Sequence, residues 1–428
     1  MIAISFRVSI SSSPHLWEKH MVLRRALWSA ALAALALTAF QSFTRAADPE
    51  TKGSATVAHV KLSGSLDELP VAEDPLFGTT AENFKTKLER IKKAKDDASI
   101  QGLYLRLDDL EIGWGKVDEL CRAITDFRKG GKKAYAFMDS GGTKDYLVAA
   151  ACDEVCMPES GSLMLIGLRA EVTFYKDLFD KIGVKADMVR MGDFKSAVEP
   201  FTRASMSKES RQQLESVLDD YYAKSIVAHI AKARAGQNLT EDKVKKLIDE
   251  GPYSAKAAKA AGLIDRIAYD DGFEDGLKAS LNVARVKVVK NYEQAKSKDI
   301  DLSNPFALLK ALMGPTKPAP SNKPKIAVIY LVGTITSGKS MNVPLLGGTA
   351  GSTTILEAIR QAEQDKTVKA IVLRVDSPGG SALASDLIWN ELRRSKKPII
   401  ASMSDVAASG GYYVCMSAGK IYAEPGTL

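Results

Sequence analysis

The sequence predicts an α/β fold made of two copies of one βαβ-type unit, the second copy cut short, and three observations predict it. A run of some hundred residues recurs with near-constant spacing: Gly64 is answered by Gly333, 269 positions on (333 − 64), and Tyr146 by Tyr412, 266 positions on (412 − 146). Within each copy, short β-rich runs alternate with helical runs, the pattern of right-handed crossovers and a mainly parallel sheet. The β runs LYLRL and IVLRV also lack clean period-two polarity, as strands covered on both faces should.

Taken in order, the strand-like VAHVKLSGSL (Val57 to Leu66) returns as IAVIYLVGTI (Ile326 to Ile335). The helical stretch starting at Leu88 returns at Leu356, with Leu88, Ile91 and Ala94 matched by Leu356, Ile359 and Ala362 on one helical face. Each helix gives way to a β run containing Leu-Arg-x-Asp, at Leu105–Asp108 and Leu373–Asp376. KKAYAFM at Lys132 answers KKPIIASM at Lys396, and SGSL at Ser160 answers PGTL at Pro425. The first copy alone continues, through FYKDLFDKIGVKADMVRMG, a helical section from Met206 to Gly236 and a further segment from Asp271 to Leu281. The organisation expected is therefore an upstream extension over 1–20, an export or anchoring segment over 21–47, a first repeat over 55–295, a linker over 296–324 and an incomplete second repeat over 325–428.

Composition bounds the function. Hydrophobic residues make up 45% and charged residues 26%, an ordinary globular balance. The net charge of +7 comes from lysines that alternate with acids, and no basic stripe with interleaved aromatics speaks for nucleic acid. Leu23–Arg24–Arg25 precedes the apolar run Ala26 to Phe40 and small residues follow, which are the parts of an export signal or an uncleaved anchor. Cys152 and Cys156, inside an apolar stretch, are expected as buried thiols. The four histidines, His15, His20, His59 and His229, lie near no nucleophile-like serine or cysteine and in no metal-binding spacing, so neither a metal nor a cofactor is expected.

Two neighbourhoods carry chemistry. Ser377–Pro378–Gly379–Gly380 turns a strand into a helix, where glycines let backbone N–H groups face outward and the helix start favours an anion; a plain turn is the simpler alternative. Ser409 stands before Gly410–Gly411 at a second strand-to-helix junction, where a serine is either a nucleophile in a cleft or a helix N-cap. The first copy has Asp109–Leu110–Glu111–Ile112 and Thr143–Lys144–Asp145 at these two places. Residues needed only for the fold would be needed twice, so the asymmetry favours chemistry in the second copy. Without a histidine partner, a serine can use a lysine whose pKa burial has lowered by roughly three units, at about 4 kcal/mol. The best candidate is Lys195 in RMGDFKSAVEPFTR, with a surface lysine as the alternative.

GDFKSAVEPF (Gly192 to Phe201), DSPGG (Asp376 to Gly380) and SDVAASGGYY (Ser404 to Tyr413) resemble, in order, the signatures of the long form of signal peptide peptidase A, a duplicated Ser/Lys protease family with a Clp protease/crotonase-like fold. The resemblance covers nearly all of the chain after residue 55. It implies Ser409 as nucleophile, Lys195 of the other copy as general base, and backbone N–H groups of Gly380 and Gly410, with Gly379 beside them, as the oxyanion hole. It further implies apolar peptide substrates such as remnant signal peptides, a membrane location facing the periplasm or another extracytoplasmic side, and a homotetramer. Two other functions compete: a crotonase-type acyl-CoA enzyme, which needs no Ser409, and a non-catalytic membrane scaffold.

Overall fold

The computed structural model describes residues 53–70, 82–294, 322–343 and 347–428. The segments expected at 1–20 and 21–47, and most of the linker at 296–324, lie outside the described residues. Both copies fall in one compact unit, Ser54–Leu281 with Arg285–Leu428.

In the first copy, strand β1 (Ser54–Gly64) leads through helix α1 (Phe84–Asp96) to β2 (Gly102–Leu110). Helix α2 (Trp114–Lys129), β3 (Lys133–Met138), helix α3 (Thr143–Ala150) and β4 (Glu154–Met157) follow. Two short strands arrive later, β5 (Arg266–Ile267) and β6 (Arg285–Val289). The sheet order is β5-β4-β3-β2-β1-β6, with every pair parallel. The second copy repeats the pattern with β7 (Lys325–Val332), helix α4 (Ser352–Gln364), β8 (Val368–Ser377), helix α5 (Ala382–Arg394), β9 (Ile399–Ala407), helix α6 (Gly410–Cys415) and β10 (Lys420–Tyr422). Its sheet runs β7-β8-β9-β10, again parallel throughout. The α/β fold of duplicated βαβ units read from the sequence is the fold observed.

Burial explains why the β runs show no alternation. Leu103, Tyr104, Leu105 and Leu107 of β2 are all buried, because α1 and α2 cover one face of the sheet and the helix Asp270–Leu281 the other. Val57 and Tyr104 meet Phe273 and Leu277 of that helix in a separate apolar cluster. The second copy differs here. Ile326 is 65% and Val328 38% exposed on β7, since no helix among the described residues covers that face.

Charges, rather than apolar side chains alone, join the two copies. Arg374, from the repeated Leu-Arg-x-Asp, is buried and reaches Glu68 (2.6 and 3.1 Å), Glu119 (2.6 Å) and the Ser404 hydroxyl (3.0 Å). Its first-copy counterpart Arg106 instead pairs with Asp139 and lies over the Phe137 ring. Burial would lower the pKa of Arg374, but Glu68 and Glu119 outweigh that and hold the guanidinium charged. Removing one partner of a buried ion cluster strands the others. Arg374→Ala is therefore expected to cost on the order of 3–5 kcal/mol, measured by urea unfolding of the purified chain. A loss below about 1 kcal/mol would show that packing, and not this cluster, holds the copies together.

Candidate active site

Strands β8 and β9 lie side by side and parallel, Val375 opposite Met403 and, after a shift of register, Ser377 opposite Ala407. Their C-terminal ends therefore deliver the Ser377–Gly380 turn and Ser409 to one place. Ser377 fixes the first turn: its buried hydroxyl donates to the Gly333 carbonyl (2.6 Å) and accepts from the Gly379 N–H (3.1 Å), while its own carbonyl accepts from the Ala408 N–H (3.1 Å).

Glycine is required in this turn by sterics. Gly379 has φ +92, and a Cβ there would stand 2.5 Å from the Gly410 nitrogen and 2.8 Å from the Ser409 Cβ. Gly380 has φ +153 and forms a parallel bridge with Ile335, so close that a Cβ would overlap the Ile335 carbonyl oxygen. Ile335 donates to the Gly379 carbonyl (2.8 Å) and accepts from the Ser381 N–H (2.9 Å). In such a bridge the N–H of Gly380 faces away from the Ile335 strand. Gly410 opens α6, so its N–H has no partner within the helix. Gly379, Gly410 and Ser409 are thus in mutual contact, with Gly380 next in the chain.

Ser409 itself is strained. It has φ +51 and ψ −117 and makes no side-chain cap of α6, which removes the N-cap alternative. A non-glycine residue in this region stores about 1–3 kcal/mol, and such strain gathers where function demands it. The residue is exposed. At the equivalent place in the first copy, Thr143 begins α3 after Gly142 (φ −86), and the backbone enters the helix without a positive φ.

The first copy ties its two strand ends together in another way. Asp145, matching Gly411, is buried and accepts from the N–H groups of Leu110 (2.9 Å) and Gly142 (2.9 Å). A carboxylate thus stands in the first copy at the position glycine takes in the second. In the second copy glycine stands there, and a Cβ on Gly411 would lie 2.5 Å from the Ser377 carbonyl oxygen.

Other nucleophiles and bases fall away on geometry. The four cysteines are buried and unbridged; burial pushes the Cys415 and Cys156 thiols up to about 12 and the other two also upward, which disfavours thiolates. His59 is held at about 4 by burial and the nearby Arg90, and His229 lies 3.1 Å from the Leu147 carbonyl, deep in the first copy. Lys195 lies in a turn before residues Ser196–Val198, its backbone carbonyl accepting from Arg190 (3.3 Å). Its side chain is exposed, and among the described residues no hydrogen bond joins it to Ser409. The fold brings the serine and the glycines together, and Lys195 is exposed in the single chain.

One residue, and its pairing with two carboxylates, escaped the sequence analysis. Lys116, in the first turn of α2, is buried and places its Nζ 3.0 Å from Asp376 and 3.0 Å from Asp405. These two carboxylates sit at the ends of β8 and β9, just before the glycine turn and Ser409. Burial alone would lower the Lys116 pKa, but Asp405 and Asp376 together raise it, so this ammonium stays charged and is unsuited to act as a base.

A strained serine beside a glycine turn at the C-terminal end of a parallel sheet is an arrangement suited to nucleophilic attack with backbone oxyanion donors. The profile of Peptidase family S49 matches residues 126–284 and 391–428. The chain is 37% identical over 343 residues to the chloroplastic serine protease SPPA of Arabidopsis thaliana, covering 79% of this chain and 48% of that protein. It is 31% identical over 378 residues to Protease 4 of Haemophilus influenzae, covering 86% of this chain and 59% of that protein. Among solved structures, a mutant of the 1510-N membrane-bound stomatin-specific protease aligns with a TM-score of 0.31 and 10% identity, over 52% of this chain and 85% of its own. The chain is thus similar to S49 serine-type peptidases, and spans about half the length of the curated relatives it matches.

Proposed function

We propose that this chain is a membrane-associated serine endopeptidase that cleaves remnant signal peptides and other apolar peptides with a Ser409/Lys195 dyad. The observation that carries the proposal is the strained, exposed Ser409 against Gly379 and Gly410, a combination present in the second copy and replaced by Thr143, Glu111 and Lys144 in the first.

In the reaction, neutral Lys195 takes the Ser409 proton as Oγ attacks the peptide carbonyl. The oxyanion is received by the N–H groups of Gly380 and Gly410, with Gly379 closing the turn between them. The protonated lysine returns its proton to the leaving amine, and water, deprotonated by the same lysine, releases the acyl group. Lysine serves as a base only where burial favours its neutral form. Closure over Lys195 by bound peptide and neighbouring subunits of a homotetramer supplies that burial. In support, the arm that carries the lysine presents apolar side chains to solvent, with Val189 95% and Met191 88% exposed and Phe194 half-exposed. A monomer seldom leaves so many apolar side chains together in water. We place the membrane attachment in residues 21–47 and the catalytic copies on the extracytoplasmic side; among the described residues no helix is long and apolar enough to cross a membrane.

The test is hydrolysis of a signal-peptide sequence by the full chain in detergent. Lys195→Ala is expected to lower kcat by about 10²–10⁴-fold with little change in KM, and the wild-type rate is expected to rise with pH as the base loses its proton. A retained rate would reject this lysine.

A further inference from the structure

We propose that Lys116 is a positioning residue for the serine chemistry: its ammonium ties the strand end that carries Ser409 to the strand end that carries the oxyanion glycines. The inference rests on the peptidase reading above and extends it to a residue of the first copy.

The geometry comes from both partners. Asp405, four residues before Ser409, accepts from the N–H groups of Gly113 (3.0 Å) and Lys116 (2.8 Å), so a second-copy carboxylate caps the N-terminus of first-copy helix α2. No side chain of α2's own flank caps it, and its first turn holds no acid. The approach is close: a Cβ on Gly115 would lie 2.5 Å from the Ser404 carbonyl oxygen. From that turn the Lys116 side chain reaches Asp376 Oδ2 (3.0 Å) and Asp405 Oδ2 (3.0 Å). Asp376 Oδ1 in turn accepts from the Val406 N–H (3.1 Å), and the Asp376 carbonyl from the Gly333 N–H (2.9 Å). Beyond Val375 and Met403 the β8–β9 register shifts before pairing resumes at Ser377 and Ala407, so the ladder is interrupted beside Asp376 and Asp405. One buried cation, shared between two largely covered carboxylates, bridges that interruption. All three side chains are at least 85% covered, with exposures of 9% for Lys116, 15% for Asp376 and 12% for Asp405.

A serine and its oxyanion donors lose about 10²-fold in rate when misplaced by about 1 Å. With an alkyl fluorophosphonate as probe on the full chain, Lys116→Met is expected to lower the acylation rate constant by roughly 10–100-fold while probe affinity changes less than about twofold. Lys116→Arg, which keeps the bridging charge, should recover most of that loss. Asp376→Asn, which weakens only the oxyanion half and preserves size, should repeat it if Lys116→Met folds poorly. Hydrogen exchange supplies a readout that needs no activity: in Lys116→Met, amides in 376–381 and 405–411 should exchange faster while β2 and β3 do not. Wild-type acylation in folded Lys116→Met and Asp376→Asn, or exchange that rises evenly across both copies, overturns the inference. Wild-type protein that fails to label at Ser409 overturns the peptidase reading instead, and the exchange comparison then decides the bridge alone.

Discussion

Ser409→Ala is expected to reduce peptide hydrolysis by about 10⁴–10⁶-fold, the loss that follows when a covalent nucleophile is removed from a preorganised site. The same substitution should leave the thermal midpoint nearly unchanged. The Ser409 side chain caps nothing and is exposed, and exposed changes of this kind stay within about 0.5 kcal/mol. The expected signature is thus loss of rate with no loss of fold, scored by hydrolysis of an apolar signal-peptide sequence beside a melting curve. Retained hydrolysis in a folded variant would remove Ser409 from the mechanism and favour an acyl-transfer chemistry that uses a carboxylate.

Gly380→Ala should fail in a different way. The added methyl would be driven into the Ile335 carbonyl, and φ +153 is a conformation that alanine rarely adopts. Backbone strain and overpacking together are expected to cost about 2–5 kcal/mol. Any folded fraction should lose at least about 10²-fold in rate, because the turn that presents an oxyanion donor has moved. Gly142→Ala is the control: φ is −86, and the nearest atom to its Cβ would be Asp145 Oδ2 at an ordinary 3.6 Å. That variant should stay within about 0.5 kcal/mol of wild type. Equal stability of the two alanine variants, by denaturant titration, would contradict the account of the turn.

Much of this was legible beforehand because duplication is visible wherever local pattern decides structure. Leu88, Ile91 and Ala94 predicted α1, and the unalternating LYLRL predicted a strand buried on both faces; both are observed. Ser377–Gly380 and Ser409 were recognisable because the first copy lacks them, and the backbone supplies the cause in their positive φ values and close contacts. Long-range pairings were not legible. Lys116 in WGKVDEL has the spacing of a solvated helix start, and only the fold buries it between Asp376 and Asp405. One signal was available: Gly113–Trp114–Gly115–Lys116 opens a helix with a cation and no capping side chain, an arrangement the helix dipole disfavours unless an acid arrives from elsewhere. Lys195 shows the opposite difficulty. Its apolar neighbours suggest a dry pocket, yet Phe194 beside it is itself half-exposed in the single chain, so local hydrophobicity there does not by itself make a pocket.

The most direct test of the central claim is to map where a fluorophosphonate attaches to the full-length chain, by digestion and mass spectrometry. The account predicts one stoichiometric adduct, on the peptide containing Ser409, absent from Ser409→Ala and slowed by at least about 10²-fold in Lys195→Ala. An adduct on a different serine, or none on well-folded protein, would contradict it.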